Sequence, residues 1–155
     1  MSHKRIEVKL ALPVVAPLLD VIRELADGLG RDLAAPLALT DLDPEFHQAW
    51  ESELLGAQNS DVRTMLALFD DDFFSEGVVA FDEDNAEIIV RACAAVRLRL
   101  RERYLKKLGD ETLETGDVDL MQLDEPLRKA FMCYLFLATV QELIIQHLDS
   151  SILGA

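Results

Sequence analysis

Residues 126–148 decide what this chain can fold into, because among them only Arg128, Lys129, Glu142 and His147 belong to the charged residue types. Between residues 130 and 140 there is none of these. The spacing predicts one helix roughly 35 Å long, about the width of a small domain. Its large apolar side chains run from Leu127 through Phe131, Met132, Tyr134, Leu135, Phe136, Leu137, Val140, Leu143, Ile144 and Ile145 to Leu148. Each gains about 1.5 to 3 kcal/mol on full burial, so the other helices are expected to wrap this one. The uncharged run falls short of the roughly 18 residues that a membrane span needs, so a membrane reading is set aside.

At 155 residues the chain suits one domain, residues 1–155, large enough to bury a core without disulfide or metal. The formal charge of -14 opposes broad affinity for nucleic acid or anionic membranes, whose phosphates need a positive patch. Near the N-terminus Lys4, Arg5 and Lys9 are interrupted by Glu7, and no signal-peptide core follows before Pro13 and Pro17. A cytoplasmic protein is expected. Cys93 and Cys133 each sit in an apolar helical pattern, which suits two buried, reduced thiols.

Along the chain, residues 5–10 alternate, with Ile6, Val8 and Leu10 opposite Glu7 and Lys9, the period of a half-buried strand. Residues 78–81, entered through Gly77, are its expected partner in a two-stranded ribbon. A first helix is expected from Pro17, with Leu18, Val21, Ile22, Leu25 and Leu29 inward, closed by Gly28 and Gly30. Asp43 and Pro44 open a second, with Phe46, Trp50 and Leu54 at intervals of four, ending at Gly56. Ser60 opens a third, striped by Val62, Met65, Leu66, Phe69 and Phe73. Asp82 or Asp84 opens a fourth, reaching about Leu108, with Ile89, Cys93, Val96, Leu100, Tyr104 and Leu108 as its seam. Residues 109–124 read as an acidic surface loop. The fold class is therefore mainly α: a helical bundle around a long apolar C-terminal helix, with a small two-stranded β ribbon.

Charge is segregated along the chain. Seven of the fifteen basic residues lie within residues 91–107, opposed there by Glu102 alone, while residues 41–87 hold fourteen acids against Arg63. A helical projection splits these cations, Arg97 and Arg101 on one flank of the apolar seam and Arg99, Arg103 and Lys106 on the other. One reading has the arginine stems covering the seam edges and their heads pairing with acidic helices. The other makes Arg97 and Arg101 contacts for a partner protein. Direct nucleic-acid binding is not expected, for want of a contiguous basic face.

Catalytic constellations are sparse. Asp70, Asp71 and Asp72 with Glu76, and Asp117 with Asp119, cluster hard-metal ligands, but neither set has the glycine and glutamate positions of a calcium loop. His47 and Glu51 stand four apart without a second histidine at ligand spacing. The hydrolase elbow, the phosphate loop and the dinucleotide fingerprint do not occur. No metal and no cofactor is expected. The rival from another class is a metal-dependent enzyme built on residues 70–76.

The opening strand and Leu-rich helix, the run Val79, Ala80, Phe81, Asp82, Glu83, Asp84, Asn85, Ala86 and Glu87 with Val96, Arg97 and Leu98 after it, and residues 134–144 together resemble a known family. It is a bacterial family of small helical proteins called a domain of unknown function, number twenty-seventeen. Its last piece runs Tyr-x-Trp-Leu-Thr-x-Leu-Gln-Glu-x-Leu. Here stand Tyr134, Phe136, Leu137, Ala138, Val140, Gln141, Glu142 and Ile144, with Phe136 in place of Trp and Ala138 in place of Thr. The resemblance implies a cytoplasmic helical fold without an established role, some relatives being labelled transcriptional regulators. It also admits a thiol sensor, which would need Cys93 and Cys133 within bonding reach.

The functional expectation is a non-enzymatic regulatory or adaptor protein acting through protein contacts. The alternatives are a transcription-associated or thiol redox-sensing regulator and the metal-dependent enzyme. A symmetric homodimer is expected through the last helix, where Met132, Leu135 and Phe136 fall on or beside its polar side. The competing cover for them is the loop, through Leu120, Met121 and Leu123.

Overall fold

The computed structural model describes residues 5–31, 44–109, 112, 115 and 119–148. Strand β1 (Arg5–Lys9) leads into helix α1 (Leu12–Leu29), followed by α2 (Pro44–Ala67), α3 (Asp71–Glu76), β2 (Val78–Asp82), α4 (Ala86–Arg103) and α5 (Glu125–His147). Short 3-10 turns cover Lys106–Leu108 and Leu120–Gln122. The fold class is the expected one: mainly helical, with a C-terminal helix in the core and, among the described residues, one two-stranded antiparallel sheet.

The ribbon follows from alternation. Ile6 pairs with Phe81 and Val8 with Val79. The pleat therefore turns these four toward the core and leaves Arg5, Glu7 and Lys9 outside. Gly77 joins α3 to β2 at φ +73°, and a Cβ there would stand 3.1 Å from the Leu10 carbonyl oxygen. That close approach accompanies the hydrogen bond from the Leu10 N–H to the Gly77 carbonyl, 2.7 Å. Gly77→Ala is expected to cost about 1 to 2 kcal/mol from the left-handed backbone alone, read as a lower denaturation midpoint at unchanged slope.

Several boundaries depart from the sequence expectation. Helix α1 begins at Leu12, with Pro13 in its first turn, and runs through Pro17. Pro17 lies in the second turn, where it has no N–H to give the Pro13 carbonyl, a loss set against the burial of Leu18, Leu19 and Ile22 just beyond it. Helix α2 is continuous where two helices were expected. Gly56 meets nothing within 4 Å and costs about 1 kcal/mol against alanine, too little to stop a helix whose second half is anchored in the core. The break comes after Ala67 instead, because the Asp70 carboxylate accepts the Phe73 N–H at 3.1 Å and starts α3. Phe73 thus belongs to α3, and its ring meets Phe69 edge to face, centroids 5.0 Å apart.

Asp82 and Asn85 build a turn before α4: Asp82 accepts from the N–H groups of Asp84 and Asn85, and Asn85 accepts from that of Asp82. Helix α4 then ends at Arg103, short of the expected Leu108. The N–H groups of Tyr104 and Leu105 both reach the Leu100 carbonyl, and this widened, π-type last turn sends Leu105 into the core, leaving Tyr104 and Leu108 partly covered. Helix α5 is capped by Asp124, which accepts the Leu127 N–H at 3.0 Å.

Helix α5 packs along α4 and α1, and α4 also carries α2. By length and mean hydropathy, 1.2 over its best window, α5 passes for a membrane span. Its Phe131, Cys133, Leu137 and Ile144 are nevertheless buried inside the fold.

Candidate interaction surface

Helix α2 has two halves with different surroundings. Residues 58–67 lie on the body: Gln58 donates to the Leu29 carbonyl and Asn59 to that of Gly30, while Val62 and Met65 are buried. Residues 45–57 are exposed nearly throughout, including Phe46 (58 %), Trp50 (44 %) and Leu54 (36 %). The Phe46 and Trp50 rings lie almost parallel, 12° apart in plane with centroids 6.5 Å apart. At about 100° per residue these three point roughly 100° away from the seam of Val62, Met65 and Leu66. Extending that seam back along the helix meets Gln58, Leu55, Glu51 and Gln48 instead. The aromatic stripe is therefore not the core face of α2 prolonged. Its spacing of four reads as a buried face; the change of direction at Gly56 is the signal in the sequence that it is not.

Arg97 occupies an inward position. Its guanidinium lies 4.5 Å from the Tyr134 ring centre, donates to the Tyr134 hydroxyl at 3.0 Å and donates to Gln141 Oε1 at 2.5 Å. Gln141 in turn donates to the Val90 carbonyl at 3.0 Å. One arginine thus joins α4 to two turns of α5, and a partner reaching it must displace both side chains. Arg101, one turn further along α4, is half-buried. The pairing of arginine with an acidic helix occurs at Arg91, which grips Asp61 of α2 through two hydrogen bonds of 3.0 and 3.1 Å and also meets Glu87 at 3.0 Å. The bond to Asp61 is the main reason its pKa is raised.

The two thiols are buried and unbonded to each other. Cys93 Sγ faces Met65 Sδ of α2 at 3.8 Å, and Cys133 Sγ faces the Leu18 carbonyl of α1 at 3.8 Å. Burial pushes each up to about 12; for Cys93 the Arg97 charge pulls back and Cys133 adds a further push. Both are protonated at neutral pH, the unreactive form.

Of the acids in residues 70–76, Asp70 caps α3, and Asp71 and Asp72 lie in its first turn. Asp119 accepts the Met121 N–H in the turn before α5; its expected companion Asp117 lies outside the described residues. Among the described residues no group of three or more His, Cys, Asp or Glu is placed to hold a metal. His47 stands 3.8 Å from Glu51 on the exposed half of α2. A depression of about 300 Å³ between α1 and the start of α5 is lined by Glu24, Tyr104, Glu125 and Lys129, a mixed set that converges on no single ligand charge.

Met132, Leu135 and Phe136 are partly buried against the core, the Phe136 ring 6.4 Å from that of Phe69. Of the loop residues expected to cover them, Leu123 packs on the core and Met121 is 82 % exposed. These three offer less apolar surface than the stripe on α2.

Comparison with known proteins adds one finding. A protein-family model matches residues 13–148, from the first turn of α1 to the residue that caps α5, and its description is a domain of unknown function. No curated protein and no solved structure matches.

Proposed function

The chain belongs to the family described as Domain of unknown function, DUF2017, and since that description carries no activity, we propose a cytoplasmic, non-enzymatic regulatory or adaptor protein that binds another protein. The supporting observation is the stripe of Phe46, Trp50 and Leu54, held out on a helix whose other half is fixed to the body. Large apolar side chains grouped on an exposed helix face mark interaction sites, and tryptophan is the residue type most enriched where binding energy concentrates. The acidic clusters give the enzyme alternative little support, because Asp70 and Asp119 are engaged with backbone N–H groups.

The test is affinity capture from native cytosol with wild-type protein and with Trp50→Ser, the bound material identified by mass spectrometry. A discrete partner in near-stoichiometric amount is expected with wild type and is expected to be lost with Trp50→Ser. Failure of wild type to retain any discrete partner would end the protein-contact reading.

A further inference from the structure

We propose that residues 45–56 of α2 form a docking face for a cationic amphipathic helix of a partner protein, a proposal that rests on the protein-contact reading and names the chemistry of the partner. The stripe repeats at intervals of four over about 12 Å of helix, the spacing by which one helix lies against another. Its rims are acidic: at about 100° per residue, Glu53 falls beside Phe46 on one edge and Glu51 beyond Leu54 on the other. Both glutamates are exposed, as is Glu45, and the stretch contains no lysine or arginine. An apolar strip between carboxylates complements a helix with leucines along one face and lysines or arginines beside them.

The same charges disfavour two other occupants. A second copy of this face would set Glu51 and Glu53 against their own equivalents, and an anionic membrane would repel them. Among the described residues the core does not take in this face: none of the three apolar residues joins it, and their stripe is turned about 100° from the buried seam.

Trp50 is the only tryptophan, so its emission reports this face directly. The probe is a fluorescein-labelled peptide of about 18 residues, leucine and lysine patterned as an amphipathic helix, beside a peptide of equal composition in scrambled order. The patterned peptide is expected to shift Trp50 emission to the blue and to bind at least about tenfold more tightly than the scrambled one by anisotropy. Binding is expected to weaken about tenfold or more in Phe46→Ser and in Trp50→Ser, and severalfold in Glu51→Gln/Glu53→Gln. All these positions are exposed, and circular dichroism checks that the variants remain folded.

Equal binding of both peptides, or binding untouched by the variants, would reduce the effect to general attraction toward an acidic protein and overturn the proposal. So would the absence of binding at millimolar peptide. A blue shift on concentrating the protein alone would assign the face to a second copy, and a shift on adding phosphatidylcholine vesicles would assign it to lipid; either result overturns the cationic helix. A cytosolic partner retained equally by wild type and Trp50→Ser would leave the protein-contact reading standing and remove this face from it. Binding of the patterned peptide at Trp50 with no cytosolic partner recovered would do the reverse.

Discussion

Raising the pH from 8 to 11 should destabilise this protein far more than its exposed charges alone would. Cys93 and Cys133 are held near 12 by burial, against 9.0 for an ordinary thiol. The folded state therefore keeps both protons where the unfolded chain releases them. Stability from the two thiols is complete below pH 9 and is lost as pH climbs toward 12. The slope is on the order of 1.4 kcal/mol per pH unit for each thiol, so the pair accounts for about 4 kcal/mol by pH 10.5. Urea denaturation at half-unit pH steps measures it. Cys93→Ala/Cys133→Ala, less stable at pH 8 for its lost sulfur contacts, should show a flatter alkaline fall. Equal slopes in the two proteins would mean that the thiols are not desolvated as the structure has them.

The second large effect is expected at Arg97. Arg97→Ala removes two charge-assisted hydrogen bonds and a cation–π contact between α4 and α5, and should lower the unfolding free energy by about 3 kcal/mol. Arg101→Ala, one turn away, should cost less than about 1 kcal/mol. Denaturant midpoints at unchanged slope decide it. If Arg97→Ala matched wild type, the guanidinium would be free to serve a partner, and its packing on Tyr134 would be incidental.

The architecture was legible in the sequence wherever a periodic pattern had a single physical solution. The alternation of Ile6 and Val8 with Glu7 and Lys9 specified a half-buried strand, and the apolar run through Phe131 and Leu137 specified a core helix. Patterns interrupted by one weak breaker were misread. Gly56 resembles a stop, but its cost of about 1 kcal/mol is small beside the anchoring of Val62 and Met65. The candidate surface was harder to read, because spacing shows that a helix has an apolar face and does not show what covers it. Phe46, Trp50 and Leu54 have the same period as Val62, Met65 and Phe69; only their relative direction separates an exposed stripe from a buried one. Arg97 was obscure for a related reason. Its place on the flank of the α4 seam was readable, whereas the inward turn of its head depends on Tyr134 and Gln141, some forty residues further along the chain.

Pairing between the first and fifth elements also sets a timetable for biosynthesis. The partners in the ribbon, Lys9 with Val78 through Arg5 with Asp82, lie about seventy residues apart. A chain emerging at about 5 to 20 residues per second leaves β1 without its neighbour for several seconds. During that interval it is a short, unpaired strand, the kind of segment that joins other chains edge to edge. Arg5, Glu7 and Lys9 put a charge at every second position of β1. Charges at that spacing disfavour edge-to-edge pairing of Ile6 and Val8 with other chains before β2 arrives.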